Sequence, residues 1–228
     1  MSFILEICCF NLQSALIAQK AGAHRIELCA DSGEGGTTPS AGFIKSVRKK
    51  LNIPVFPIIR PRGGDFLYSR DEFEIMQLDV ALCKQTGCDG IATGMLLKNG
   101  KIDKESCSRL VNLAYPMEVS FHRAFDRVSD PFDAMEEIID AGCGRILTSG
   151  QQPTATEGET LIKELIKKAQ DRICIMPGSG LRASNILELA RVTSASEFHT
   201  SARINQSDPL ADLAEIQSML RQLDEFFR

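Results

Sequence analysis

No run of apolar residues in this sequence approaches the roughly 20 needed for a helix to cross a bilayer. The first ten residues carry Glu6 and no basic residue. Neither a membrane span nor a signal peptide is therefore expected, and a cytoplasmic location follows by default. An excess of one charge is also missing. The chain has 26 basic and 30 acidic residues and a net charge of −4, which argues against a nucleic-acid binder or a membrane-surface protein. There is no CxxC and no Cys/His spacing of the zinc-binding kind, so a structural zinc site is not expected. No P-loop or nucleophile elbow occurs. No lysine stands at the end of a candidate strand, which disfavours a Schiff-base aldolase.

What is present is ordinary globular material. Across 228 residues, 43% are hydrophobic and 25% charged, a balance that excludes disordered, collagen-like and coiled-coil chains. The chain is long enough to bury a full core as one domain, 1–228. The eight cysteines, Cys8, Cys9, Cys29, Cys83, Cys88, Cys107, Cys143 and Cys174, are expected as reduced thiols in a chain with its own large core and no export signal.

Short apolar runs alternate with amphipathic stretches from end to end. Candidate strands fall at 4–9, 25–30, 54–60, 90–94, 118–124, 145–150, 172–178 and 197–202. Helical spacing is clear at 11–21, at 71–86 with Phe73, Met76, Val80 and Cys83 on one stripe, at 131–141 behind Asp130-Pro131, and at 209–226. The junctions Ala21-Gly22-Ala23, Thr86-Gly87-Cys88 and Ala141-Gly142-Cys143 repeat one signature, a helix ending on glycine before a strand begins. Eight such units imply parallel strands with right-handed crossovers. They predict an α/β fold, a single (β/α)8 barrel of the TIM type. The rival is an open doubly wound sheet, disfavoured because no GxGxxG follows the first strand.

Strand alternation then assigns faces, since residues under the helices must be apolar and a mid-strand charge should point inward. Ile7, Ile26, Leu28, Val119, Phe121, Ile146 and Phe198 are read as outward. Glu6, Cys8, Glu27, Cys29, Arg60, Ser120, His122, Ser149, His199 and Ser201 are read as luminal, most of them toward the face where barrel sites lie. Arg25, Arg145 and Glu197 begin their strands and are expected to plug the opposite end as ion pairs. A lumen this polar suggests either a binding site or a satisfied internal network. The strand-ending loops are rich in glycine, which lets backbone N–H groups approach an anion. Gly178 and Gly180 after the seventh strand, with Ser201 and Arg203 after the eighth, stand where many barrels hold phosphate. Ser184-Asn185 is expected to cap a helix beside them.

The same residues carry a family resemblance. The runs Arg25-Ile26-Glu27-Leu28-Cys29, Glu34-Gly35-Gly36-Thr37-Thr38-Pro39-Ser40, Ile59 to Ser69, Phe121-His122-Arg123-Ala124-Phe125-Asp126, Arg145 to Gly150 and Glu197-Phe198-His199 resemble the CutC family, named for copper homeostasis. The likeness runs in order along nearly the whole chain. It implies a TIM-type barrel, a cytoplasmic setting, homodimers or higher homo-oligomers, and Cys8 and Cys29 as copper ligands. The chain departs from the family at Ser179, where many members have glycine, and in its short C-terminal segment.

Two functional readings follow, with a third in which the barrel is mainly an oligomeric interaction protein. Cys8 and Cys29 each stand two residues after an inward glutamate on neighbouring strands, and paired thiolates form the soft site that Cu(I) selects. Alternatively Glu6, Glu27, His122 and His199 share acid and base roles. In that reading Arg60 clamps a carboxylate or phosphate, Asp65 and Asp126 orient loops, and with them Arg62, Ser149, Gly178, Gly180 and Ser201 complete the site of an isomerase, lyase or hydrolase for a small anionic metabolite. Cys9, the five remaining cysteines, Met76, Met135 and Met176 are read as packing.

Overall fold

The structure, a computed structural model, describes residues 3–205 and 207–228. Among these lie eight strands and eight helices in strict alternation. They are β1 (Ile4–Cys9), α1 (Leu12–Ala21), β2 (Arg25–Leu28), α2 (Ala41–Lys50), β3 (Val55–Pro57), α3 (Arg70–Thr86), β4 (Gly90–Thr93) and α4 (Lys104–Ala114). The second half continues with β5 (Glu118–Phe121), α5 (Pro131–Ala141), β6 (Arg145–Thr148), α6 (Glu159–Ala169), β7 (Cys174–Pro177), α7 (Ile186–Thr193), β8 (Glu197–Thr200) and α8 (Leu213–Phe227). Parallel ladders join β3-β2-β1-β8 and β4-β5-β6-β7. Parallel bridges at Ile58–Ala92 and Gly178–His199 close the two arcs into one barrel. The expected fold is thus observed. No helix among the described residues is long and apolar enough to cross a membrane. The expectation of no leader at the N-terminus includes Met1 and Ser2, which lie outside the described residues.

Local chemistry sets the element ends. Gly22, Gly87 and Gly142 all terminate helices in the left-handed region, at φ of 96°, 76° and 91°, as the repeated junction signature requires. Asn11, Ser69 and Asp130 accept backbone N–H groups at the starts of α1, α3 and α5. Several expected bounds shift. The run 54–60 ends its ladder with β2 at Pro57, keeps a last bond from the Ile58 amide to the Leu28 carbonyl, and meets β4 through a single bridge at Ala92. Arg172 lies outside β7 and pairs with Glu136 on the surface. The last helix begins at Leu213, where the Asp212 side chain accepts from the Glu215 amide. Asn185 does not use its side chain to cap α7. Its Oδ1 accepts from the Arg182 amide instead, tying the preceding loop.

The outward residues named from alternation all enter the core between barrel and helices, together with Cys9, Cys83, Cys107 and Cys143. Cys8, Cys29, Ile58 and Ala92 form a separate apolar cluster in the lumen. One end of the lumen is plugged. Glu197 accepts from Arg25 Nη2 at 2.7 Å and Arg145 Nε at 2.6 Å, and Arg145 also reaches Glu118 and Ser120. The Phe56 ring lies under both guanidinium groups, 5.0 Å from Arg25 and 5.7 Å from Arg145. Met176 is luminal too, accepting from Arg25 Nη2 through its sulfur at 3.4 Å.

Candidate functional site

Register decides the height of each luminal group. Glu6 is level with Arg25 on one side and His199 on the other, while Cys8 is level with Glu27. Glu6 accordingly joins the plug: it pairs with Arg25 and accepts from His199 Nδ1 at 2.7 Å. Burial opposes charge on Glu6, yet Arg25 and His199 hold its carboxyl well below the usual range. His199 is in turn held protonated, against its burial, by hydrogen bonds to Cys8 and Glu6. Its Nε2 lies 3.7 Å from Glu27 Oε2.

One layer higher, Cys8 Sγ and Cys29 Sγ share a hydrogen bond at 3.7 Å, and Cys29 donates to Glu27 Oε2 at 3.3 Å. Donor atoms of Cys8, Glu27 and Cys29 all lie within 4.8 Å of one another. The hydrogen bond with Cys29, helped by His199, pushes Cys8 down to about 5 despite burial. Burial and the neighbouring anion push Cys29 up. The pair therefore gives up its first proton readily and holds the second. Burial and the Cys8 charge raise Glu27 to about 8. Gly36 makes room for the pair, since a Cβ there would lie 3.1 Å from Cys29 Sγ.

Above the thiols opens a cavity of about 400 Å³. Cys8, Glu27, Arg60, His122, His199, Gly180 and Ser201 line it. Arg60 is not a free fork. Its Nη1 donates to the Glu34 and Gly36 carbonyls and its Nη2 to Gly64, while buried Nε has no hydrogen-bond partner among the described residues. His122 Nδ1 accepts from the Ala124 amide at 3.2 Å, so Nε2 carries the ring proton, and buried Nε2 is likewise unpartnered. Gly94 allows this placement, because a Cβ there would come 2.7 Å from His122 Nδ1.

The other candidates serve the loops. Arg62 staples its own turn through Asp65 and Glu72. Asp126 accepts from the Thr148 hydroxyl, the Ser149 amide and hydroxyl, and Arg123 Nε, fixing the end of β6. Gly178 is a spacer, since a Cβ would meet Leu147 at 2.5 Å and His199 at 3.2 Å. Sequence reasoning missed Phe66, whose ring lies 4.8 Å from the Arg60 guanidinium and 5.0 Å from His122, and the lining residues Arg123 and Arg182. Phe66 and Arg123 lie inside the quoted motif runs, which was their signal.

Burial, with the Arg60 charge beside it, pushes His122 down to about 3 from 6.5. The unfolded chain then binds a proton that the folded one refuses. Stability from this group is complete above pH 6.5 and declines as pH falls toward 3, by up to about 1.4 kcal/mol per unit. His122→Gln, which cannot titrate, should flatten that decline. Urea unfolding of both proteins across pH 3.5–7 checks it, and parallel profiles would contradict the assignment.

Comparison with known proteins bears on this site. The profile of the CutC family matches residues 3–204. The chain belongs to the CutC family. A human copper homeostasis protein cutC homolog is 48% identical over 201 residues, 88% of this chain and 74% of that one. A CutC family protein of Parabacteroides distasonis is 52% identical over 206 residues, 89% of this chain and 84% of its own length. The crystal structure of a CutC copper homeostasis protein from Streptococcus agalactiae superposes with a TM-score of 0.84 at 34% identity, covering 89% of this chain and all of the other. The phosphoribosylanthranilate isomerase of Thermotoga maritima, 15% identical with a TM-score of 0.65, shares the fold alone.

Proposed function

We propose that this chain takes part in copper homeostasis by holding Cu(I) between Cys8 and Cys29 at the C-terminal face of the barrel. The observation that supports this is the sulfur pair itself. At 3.7 Å the two Sγ atoms are close enough to share one ion, given metal–thiolate bonds of about 2.3 Å. Glu27 supplies a third donor within the same 4.8 Å group. Soft, low-coordinate sulfur selects Cu(I) over hard cations, and a thiol pair with one easily lost proton is prepared to bind it. The copper homeostasis names of the relatives agree with this chemistry. Cys8 also lines the cavity, which gives the ion a route in. In this reading the protein works in the cytoplasm, where thiols stay reduced.

Competition of reduced protein with a chromophoric Cu(I) chelator tests the reading. One ion per chain is expected. The Cys8→Ser, Cys29→Ser double variant should bind at least about tenfold more weakly, equivalent to about 1.4 kcal/mol. Cys9→Ser should leave affinity unchanged, because Cys9 belongs to the outer core. Equal affinity in the double variant and the unaltered protein would remove the proposal.

A further inference from the structure

The copper reading uses only the floor of the cavity, and the walls carry a different chemistry. Among the described lining residues, Arg60, Arg123, Arg182 and Arg203 are cationic, while the one carboxylate is Glu27, beside Cys8 at the bottom. Arg123 is matched by Asp126 at 2.7 Å. Arg60 and Arg182 have no carboxylate within 4.0 Å among the described residues. In the closed strand order β3 lies across the barrel from β7, so these two cations approach the cavity from opposite walls. Two facing cations without carboxylate partners are unfavourable in an empty pocket and favourable around an anion.

A second observation independently points to a ligand. His122 is 3% exposed, and its Nε2–H finds no acceptor among the described residues although it lines the cavity. Arg60, 4% exposed, keeps an unpartnered Nε in the same wall. A buried donor left unmatched is costly, and a bound acceptor relieves that cost. On the facing side, Ser179 and Gly180 turn through positive φ of 83° and 75°. Gly180, Arg182 and Ser201 from the ends of β7 and β8 form that rim, the quarter of a barrel suited to a phosphate group. A volume of about 400 Å³ is in the range of small-metabolite pockets and exceeds the need of a bare inorganic ion.

We propose that this cavity binds a small phosphate monoester, its phosphate against Arg182, Gly180 and Ser201 and an oxygen of its short carbon chain accepting from His122 Nε2–H. The site is independent of the copper ligands. It gives the barrel a metabolite-binding role beside metal handling.

Isothermal titration of the reduced, metal-free protein with glycerol 3-phosphate and ribose 5-phosphate tests the proposal, with inorganic phosphate and glycerate as the contrasting arms. At least one monoester should bind saturably, one per chain, at least about tenfold more tightly than inorganic phosphate, which does not span to His122. Arg182→Ala should weaken that binding by about tenfold or more. His122→Gln keeps an N–H donor and should stay within about threefold of the unaltered protein, whereas His122→Phe should lose about tenfold. If His122→Phe does not fold, the Arg182→Ala result decides. The Cys8→Ser, Cys29→Ser variant should bind the monoester normally, so the two proposals fail separately. Binding of inorganic phosphate only, tighter binding of glycerate, no binding of either monoester, or an Arg182→Ala variant that binds unchanged would each overturn it.

Discussion

Arg25→Met is expected to destabilise the protein by about 3–5 kcal/mol, the range for removing one partner from a buried ionic cluster. Arg25 is 5% exposed. Its guanidinium pairs with Glu6 through Nε and with Glu197 through Nη2, donates to Met176, and lies over Phe56. Methionine retains much of the volume and removes all of the charge. Glu6 then keeps only His199, and Glu197 keeps only Arg145. Arg25→Lys should fall in between, since an ammonium supplies charge without the planar fork that serves two carboxylates at once. The acid side of the stability profile adds a second reading. Glu6 titrates below its ordinary value when folded, so its contribution is present above about pH 4.5 and is lost as pH falls through the carboxylate range. That part of the acid decline should shrink in Arg25→Met. Urea unfolding at pH 7 and pH 3.5 measures both effects, and an unchanged midpoint at pH 7 would contradict the plug as described.

The barrel was legible because its signals are local. Glycine at three helix ends and apolar residues on alternate strand positions survive without any knowledge of neighbours. Cys8 and Cys29 were legible for the same reason, sitting at one offset from inward glutamates on strands that had to pair. Alternation gives the face of a side chain but not its height, because strands in a barrel are staggered by its shear. Glu6 shows the consequence. It points inward as expected, yet register sets it level with Arg25 and His199, in the plug rather than at the mouth. The loops were harder to read. A polar loop residue can face a ligand or its own loop, and the sequence looks the same in either case. Arg62, Asp65, Asp126 and Ser149 chose their loops, and two nitrogens of Arg60 did as well. Phe56 and Phe66 went unnamed among the luminal groups, and both lie against arginines.

Phe56 also governs what β4 tolerates, and Gly90→Ala is expected to cost about 3 kcal/mol, the upper part of the range for overpacking. Gly90 is buried at the first rung of the ladder that pairs β4 with β5. A Cβ there would come 2.1 Å from Phe56 Cε1 and 2.4 Å from Cζ. An aromatic edge elsewhere in a core could swing aside. This ring is held beneath two guanidinium groups that are themselves fixed by Glu6, Glu197, Ser120 and Glu118. Moving it gives up two cation–π contacts and disturbs the ion pairs around them. Glycine at position 90 is therefore required by the ring opposite it and not by its backbone. The double variant Phe56→Leu, Gly90→Ala should be more stable than the sum of the single effects predicts, by about 0.5–3 kcal/mol, the span of coupling between residues in contact. Urea midpoints of the four proteins in the cycle supply the comparison. Simple additivity would mean that the added methyl group is accommodated without Phe56, and that the plug is looser than a ring clamped under Arg25 and Arg145 allows.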